Sequence, residues 1–342
     1  MATSTALGDP PSDVVGGRFV ELSERLRQEA ALSGDELLAR RLLAFLDQYR
    51  QGPQVLPRSP IERLTAQRLL RQLLIARRCY GVVYGWYEAF KAPYGEDFEA
   101  NLRLYVQHLR AAADGFGWIR GRGTVLECGC GAESLGLVLA RHNRRWIGSD
   151  IYVPEALERL KAIFDPVGPF EFQVIDGVTL DGVADRSVDV VVSRSFFEHL
   201  LVDDALQHLR QAHRVLAAGG QFVCLCPAGI GPPSDVTQEF PEFDTPQGLH
   251  IKEYRVAELT RELKAAGFAR VRSRFIRVRG LGRLPAALNA RNEVPPAVAA
   301  IVESMAQSTW PVARRSAAGR TLWKKAWGHV GATPLLVVAT RD

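Results

Sequence analysis

Long hydrophobic runs are missing from this chain: nowhere in its 342 residues do about 18 apolar side chains follow one another, as a membrane-spanning helix requires. Residues 1–11 are small and polar and contain no apolar stretch, so no secretory signal is expected, and residues 1–16 are expected to form a disordered leader. Cysteine is scarce and odd in number, with five residues at 79, 128, 130, 224 and 226. The pairs Cys128/Cys130 and Cys224/Cys226 lie inside apolar runs and lack the C-x-x-C spacing of a zinc knuckle. Buried, reduced thiols are the expectation, and with them a cytoplasmic location. No RRM or KH signature appears, so nucleic acid is not an expected partner.

What is present is globular composition, 47% hydrophobic and 24% charged. The net charge of +5 hides an asymmetry. Residues 121–250 hold 10 basic against 18 acidic side chains, whereas residues 251–342 hold 17 against 6. A basic tail behind an acidic middle suits an anionic partner; arginines that merely solvate helices would give the same count.

Residues 17–120 read as a helical cap, with apolar spacing of three and four over 18–30, 35–49, 61–79 and 96–114. Pro53, Pro57 and Pro60 mark a loop, and Pro60 suits the first turn of the next helix. From Thr124 the pattern changes to short apolar runs alternating with helices, the signature of a parallel α/β sheet. Strands are predicted over 124–128, 145–150, 170–175, 188–193, 221–227, 269–278 and 333–340, with helices over 134–142, 154–164, 199–216 and 253–266. The stretch 279–332, with helical patterning, is too long for a plain connection and is expected to be an element of its own.

Gly129 and Gly131 follow an apolar strand ending in Glu127 and open a helix, which lets a cofactor approach the backbone closely. Asp150 ends the next strand, 23 positions after Glu127, where an acid can bond a ribose. Together these features indicate a nucleoside cofactor. A nicotinamide fingerprint would need glycine at 134, where Ser134 stands, and the Tyr87/Lys91 pair precedes the nucleotide motif instead of following the later strands.

At this point the chain resembles the class I S-adenosylmethionine-dependent methyltransferases, over residues 123–278 and 333–340. Glu127-Cys-Gly-Cys-Gly131 is similar to their first motif and Asp150 to the ribose-binding acid, with Ile151 against the adenine. Asp176-Gly177 resembles the adenine-amino motif, the run ending at Ser193 the fourth-strand motif, and Phe197-Glu-His-Leu200 the Glu-His-Leu of many small-molecule members. Leu216-Ala-Ala-Gly-Gly220 and the segment from His250 through Glu253-Tyr254 to Phe268 are also similar to family features.

The resemblance implies a Rossmann-like, seven-stranded, mostly parallel sheet with an antiparallel last strand, within a domain over 121–342 that contains the insertion. It implies S-adenosylmethionine as cofactor, held by Glu127, Gly129, Gly131, Asp150, Ile151, Asp176, Gly177 and Ser193. Glu133 departs from the pattern, standing where the family has a third glycine and bringing a carboxylate close to the cofactor's own.

Methyl transfer needs in-line alignment and often a base for the acceptor's proton. His199 and His250 fall where the strands end and are the candidate catalytic residues. Glu198, His199 and His250 are similar to metal ligands of the small-RNA 2′-O-methyltransferases. That family has a further glutamate three positions before its Glu-His pair, where Ser195 stands, so no metal is expected.

The aromatic segment 80–94 is read either as a stacking surface for the acceptor or as packing of the cap. In 311–330, Arg314, Arg315, Arg320, Lys324 and Lys325 with Trp323 and Trp327 suit peripheral contact with an anionic membrane or carrier protein, or a lid that turns its tryptophans inward. The leading expectation is O-methylation of a small-molecule or glycan-type acceptor, on an anionic carrier in one version. The alternatives are C- or N-methylation, RNA methylation, and a cofactor-binding scaffold without turnover.

Overall fold

The computed structural model describes residues 12–48, 59–91, 96–154, 156–274, 293–328 and 335–342. Four helices come first: α1 (Ser12–Leu32), α2 (Glu36–Asp47), α3 (Pro60–Arg77) and α4 (Tyr80–Lys91). Their starts follow local chemistry. Asp35 caps α2 by accepting from Leu38 N, and Ser59 and Glu62 form a reciprocal capping box at α3, with Pro60 in its first turn. The helix α1 starts inside the expected leader, directly after Pro10-Pro11, where Ser12 and Asp13 are good helix-starting residues. These helices bury a core of their own around Leu26, Leu42, Leu70, Leu73, Val83 and Trp86, to which the distant Leu249 also contributes.

Helix α5 (Glu96–Gly115) leaves this group and packs on the sheet, with Leu109 and Phe116 among the residues covering one face. The sheet is built from β1 (Thr124–Cys128), β2 (Arg145–Asp150), β3 (Phe170–Val174), β4 (Val188–Arg194), β5 (Leu216–Cys226), β6 (Arg270–Arg274), β7 (Glu293–Val294) and β8 (Leu335–Thr340). Their order is β3-β2-β1-β4-β5-β8-β6-β7. Strands β1 to β5 pair in parallel, and β8 runs antiparallel between β5 and β6. The expected seven-stranded architecture is therefore present, extended by the two-residue edge strand β7.

Between the strands lie α6 (Gly136–Leu139), α7 (Leu157–Phe164), α8 (Val202–Val215) and α9 (Val256–Ala265). Helices α5, α6 and α7 cover one face of the sheet, and α8, α9 and the insertion cover the other. The described part of the expected insertion, 293–328, follows β7 with two helices, α10 (Pro296–Ala313) and α11 (Ala317–Gly328). Trp323 turns inward, stacking edge-on against Trp310 at 5.1 Å and donating to the Ala306 carbonyl. The side chains of Lys324, Lys325 and Trp327 lie outside the described residues, as do positions 275–292 and 329–334. All five cysteines are free, and Cys128, Cys130, Cys224 and Cys226 are buried. Among the described residues no helix is long and apolar enough to cross a membrane.

Candidate active site

The glycine turn after β1 has a structural reason at each position. Gly129 and Gly131 take left-handed φ of +58° and +54°. A Cβ on Gly129 would stand 2.1 Å from the Phe196 ring, whereas one on Gly131 would meet nothing, so the second glycine is required by backbone conformation and borders open space. Glu127 is fully buried and holds the turn from below. It accepts from Ser134 Oγ at 2.6 Å, Leu135 N at 3.1 Å and Trp146 Nε1 at 3.1 Å. This is why α6 is shorter than the predicted 134–142: its first residues are fixed to Glu127 instead of joining the helix, and a 3-10 turn follows over Ala140–His142.

Asp150 ends β2 and reaches the same turn. Its carboxylate accepts from Gly131 N at 2.9 Å and Ile151 N at 2.7 Å. Burial pushes this carboxyl up to about 6, against the opposing pull of those two N–H groups. Ile151 lies against α4, 3.6 Å from where a Cβ on Gly81 would be. Asp176 accepts from Val178 N at 2.8 Å and shapes the loop after β3. Gly177 lies under the Phe196 ring, and its carbonyl faces His208 Nδ1 at 2.6 Å. Burial pulls the His208 imidazole down to about 4, so it is neutral and donates to Gly177. Ser193 is buried at the end of β4 with its Oγ unpartnered.

The eight expected cofactor residues thus fall on the ends of β1, β2 and β4 and the loop after β3. The open space at Gly131, the Asp150 carboxylate and the orphan hydroxyl of Ser193 fit a nucleoside cofactor in the crevice that parallel sheets offer at their carboxyl ends. Sequence reasoning missed Arg194. Its Nε lies 3.7 Å from Glu127 Oε1 and its Nη2 donates to the Glu133 carbonyl. A guanidinium therefore sits beside the turn at the residue that departs from the family pattern.

The second cluster forms where β4 runs out. Glu198 and His199 lie in a 3-10 turn, Phe197–His199, and the loop after β5 brings in His250. The two imidazoles meet edge to face at 4.9 Å. His199 Nδ1 faces the Leu249 carbonyl at 3.1 Å, and His250 Nδ1 faces Glu253 Oε1 at 2.8 Å. Burial pulls the His250 imidazole down, but the Glu253 bond and the Glu198 and Glu253 charges together raise it above its ordinary value. Glu198 is pushed up to about 7 by burial, with His250 opposing.

The cap fixes this loop from outside. Arg71 of α3 donates to the carbonyls of Pro246, Gly248, His250 and Ile251. Tyr84 of α4 packs edge-on against His199 at 5.2 Å and donates from Oη toward the His199 and Leu249 carbonyls. Gly81 and Tyr84 are three residues apart, about 4.5 Å along a helix, so one turn of α4 touches both the Ile151 side of the cofactor crevice and the histidine pair. Within the aromatic segment, Trp86 is buried packing and Tyr84 belongs to the site. Tyr87 accepts from Gln67.

Residues 126–224 match the family described as methyltransferase domain. No curated protein matches the chain. Among solved structures it is similar to the Haloferax volcanii complex of the Trm112 methyltransferase activator with a methyltransferase (17% identity, 70% of this chain and 92% of that one, TM-score 0.45). It is also similar to an Archaeoglobus fulgidus SAM-dependent methyltransferase (17%, 70% and 94%, TM-score 0.42). A third similar structure is the Burkholderia thailandensis 1,6-didemethyltoxoflavin-N1-methyltransferase with S-adenosylhomocysteine (16%, 83% and 91%, TM-score 0.40). With the β1 turn, Asp150 and the sheet order, the family match defines a class I methyltransferase domain. The chain thus carries a methyltransferase domain over residues 126–224, and the β1 turn with Asp150 fits S-adenosylmethionine as its cofactor.

Proposed function

We propose that the protein methylates a hydroxyl oxygen of a small-molecule or glycan-type acceptor, presented beside His199 and His250. The observation that carries this reading is the convergence of those two imidazoles, with Glu253 behind one and Glu198 beside both, within one turn of α4 from the cofactor crevice. A hydroxyl is a weak nucleophile at neutral pH and gains from help in losing its proton. The cluster is a group of polar side chains suited to that task. Bound S-adenosylmethionine supplies an electrophilic methyl group.

This chain's residues do the rest. Gly129, Gly131 and Asp150 hold the nucleoside end, with Ile151, Asp176, Gly177 and Ser193 around the adenosine. Arg194 places positive charge beside the β1 turn, near Glu127 and on the Glu133 carbonyl. Tyr84 and the loop 246–251 keep water from the acceptor side.

The test is methyl transfer from labelled S-adenosylmethionine to a panel of sugars, phenols, fatty acids and RNA, with the product's methyl position read by NMR. Transfer to a hydroxyl of a small molecule or glycan is expected, reduced roughly 100-fold or more in His199→Ala and His250→Ala with cofactor affinity retained. A methyl found on nitrogen or carbon, or transfer confined to RNA, would overturn the reading.

A further inference from the structure

We propose that Glu198, His199 and His250 form a binding site for one divalent first-row transition-metal ion. The role given to the ion below rests on the acceptor reading of this pocket. A carboxylate oxygen of Glu198 and one ring nitrogen of each histidine lie within 4.8 Å of one another. Ligand atoms held at about 2.1 Å from a single ion stand about 3.4 Å apart in a tetrahedral shell, so small side-chain rotations bring the three onto one centre.

The second, independent observation is an orphan. Glu198 is 1% exposed, and its Oε2 has no hydrogen-bond partner. A buried carboxylate oxygen left without a partner costs free energy that a cation would recover. The Glu198 carbonyl accepts from Ile251 N at 2.7 Å and Lys252 N at 3.2 Å, which ties the two halves of the site together.

The surroundings match what a metal site needs beyond its ligands. Metal-bound histidines characteristically give their other ring nitrogen to a carboxylate or a backbone carbonyl, which sets tautomer and orientation. Both arrangements occur here, His250 Nδ1 on Glu253 and His199 Nδ1 on the Leu249 carbonyl. Glu253 itself is fixed by Ser234 N, which donates to the same Oε1 at 2.7 Å. Arg71 then holds the carbonyls of the His250 loop from the cap side. Glu253 thus supports a ligand instead of acting as one.

Two imidazoles and one carboxylate suit zinc, cobalt, manganese or iron in the divalent state better than magnesium, which prefers oxygen. Three protein ligands leave a position for the acceptor hydroxyl. On the ion the O–H bond is weakened, its proton leaves to solvent, and the oxygen keeps the electron pair with which it bonds to the methyl carbon as the carbon–sulfur bond breaks toward sulfur. No oxidant or reductant takes part.

Cobalt(II) titration of tag-free, chelator-treated protein tests the site, followed by the visible absorption of the bound ion and by calorimetry. One ion per chain is expected, unaffected by excess magnesium. Binding should be lost in Glu198→Gln and His250→Ala, and weakened 10- to 100-fold in Glu253→Gln. S-adenosylmethionine affinity, measured on the same variants, should stay within about two-fold and so certify the fold. Absence of saturable cobalt binding by the wild type, or equal binding by His199→Ala and His250→Ala, overturns the proposal. The titration is read without cofactor or acceptor, so failure to methylate a hydroxyl would sink the acceptor reading and leave the ion site standing.

Discussion

At the scale of single residues, Asp150 shows how a binding group can be poised by its surroundings. Burial pushes its carboxyl up to about 6, with two backbone N–H groups opposing, so it is ionised at neutral pH. Two ribose hydroxyls donating to it would favour the ionised form further. S-adenosylmethionine affinity should therefore fall as pH drops through about 6, and calorimetry between pH 5 and 8 reads the slope. In Asp150→Asn binding should be at least about 10-fold weaker, as expected for loss of a charge-assisted bond, and flat across the same range. A wild-type affinity independent of pH would remove Asp150 from the ribose. The placement of Gly129, Gly131 and Asp150 at one turn was legible in the sequence because spacing along one strand–turn–helix unit encodes it. Arg194 was not, because the end of β4 meets the β1 turn only after the sheet has formed.

Among elements, α8 reaches the cofactor loop through one side chain. His208 stands between Phe196, Phe197 and Phe222 and bonds the Gly177 carbonyl. Its folded pKa, about 4, lies below the ordinary 6.5. The stability it contributes is therefore present above pH 6.5 and lost as pH falls through 4. Complete loss corresponds to about 3 kcal/mol at full burial. Urea denaturation at pH 7.5 and 4.5 should show wild type losing about 2 kcal/mol more than His208→Phe; equal losses would place the acid sensitivity elsewhere. Element prediction itself failed at α4. Gly81 and Gly85 with the β-branched Val82 and Val83 hid its helical periodicity, and both glycines sit where the helix packs closely, on Ile151 and on Leu22.

At the scale of the whole molecule, the N-terminal helices and the catalytic domain share a boundary that local patterns cannot encode. Arg71 reaches its four carbonyls across 175 to 180 residues of chain, and Leu249 buries its side chain in the cap's core. Arg71→Ala should accordingly lower turnover by about 10-fold or more through misplacement of His250, with S-adenosylmethionine affinity nearly unchanged; an equal fall in cofactor affinity would mean that the cap serves the whole crevice. The single turn of α4 between Ile151 and His199 has a further consequence for how the protein can be observed. Cys79 immediately precedes that helix and is the one thiol of the five that is not fully buried, with burial pushing it up to about 11. A maleimide should thus react slowly and at this position first, so the labelling rate becomes a clock for displacement of α4 as ligands enter and leave.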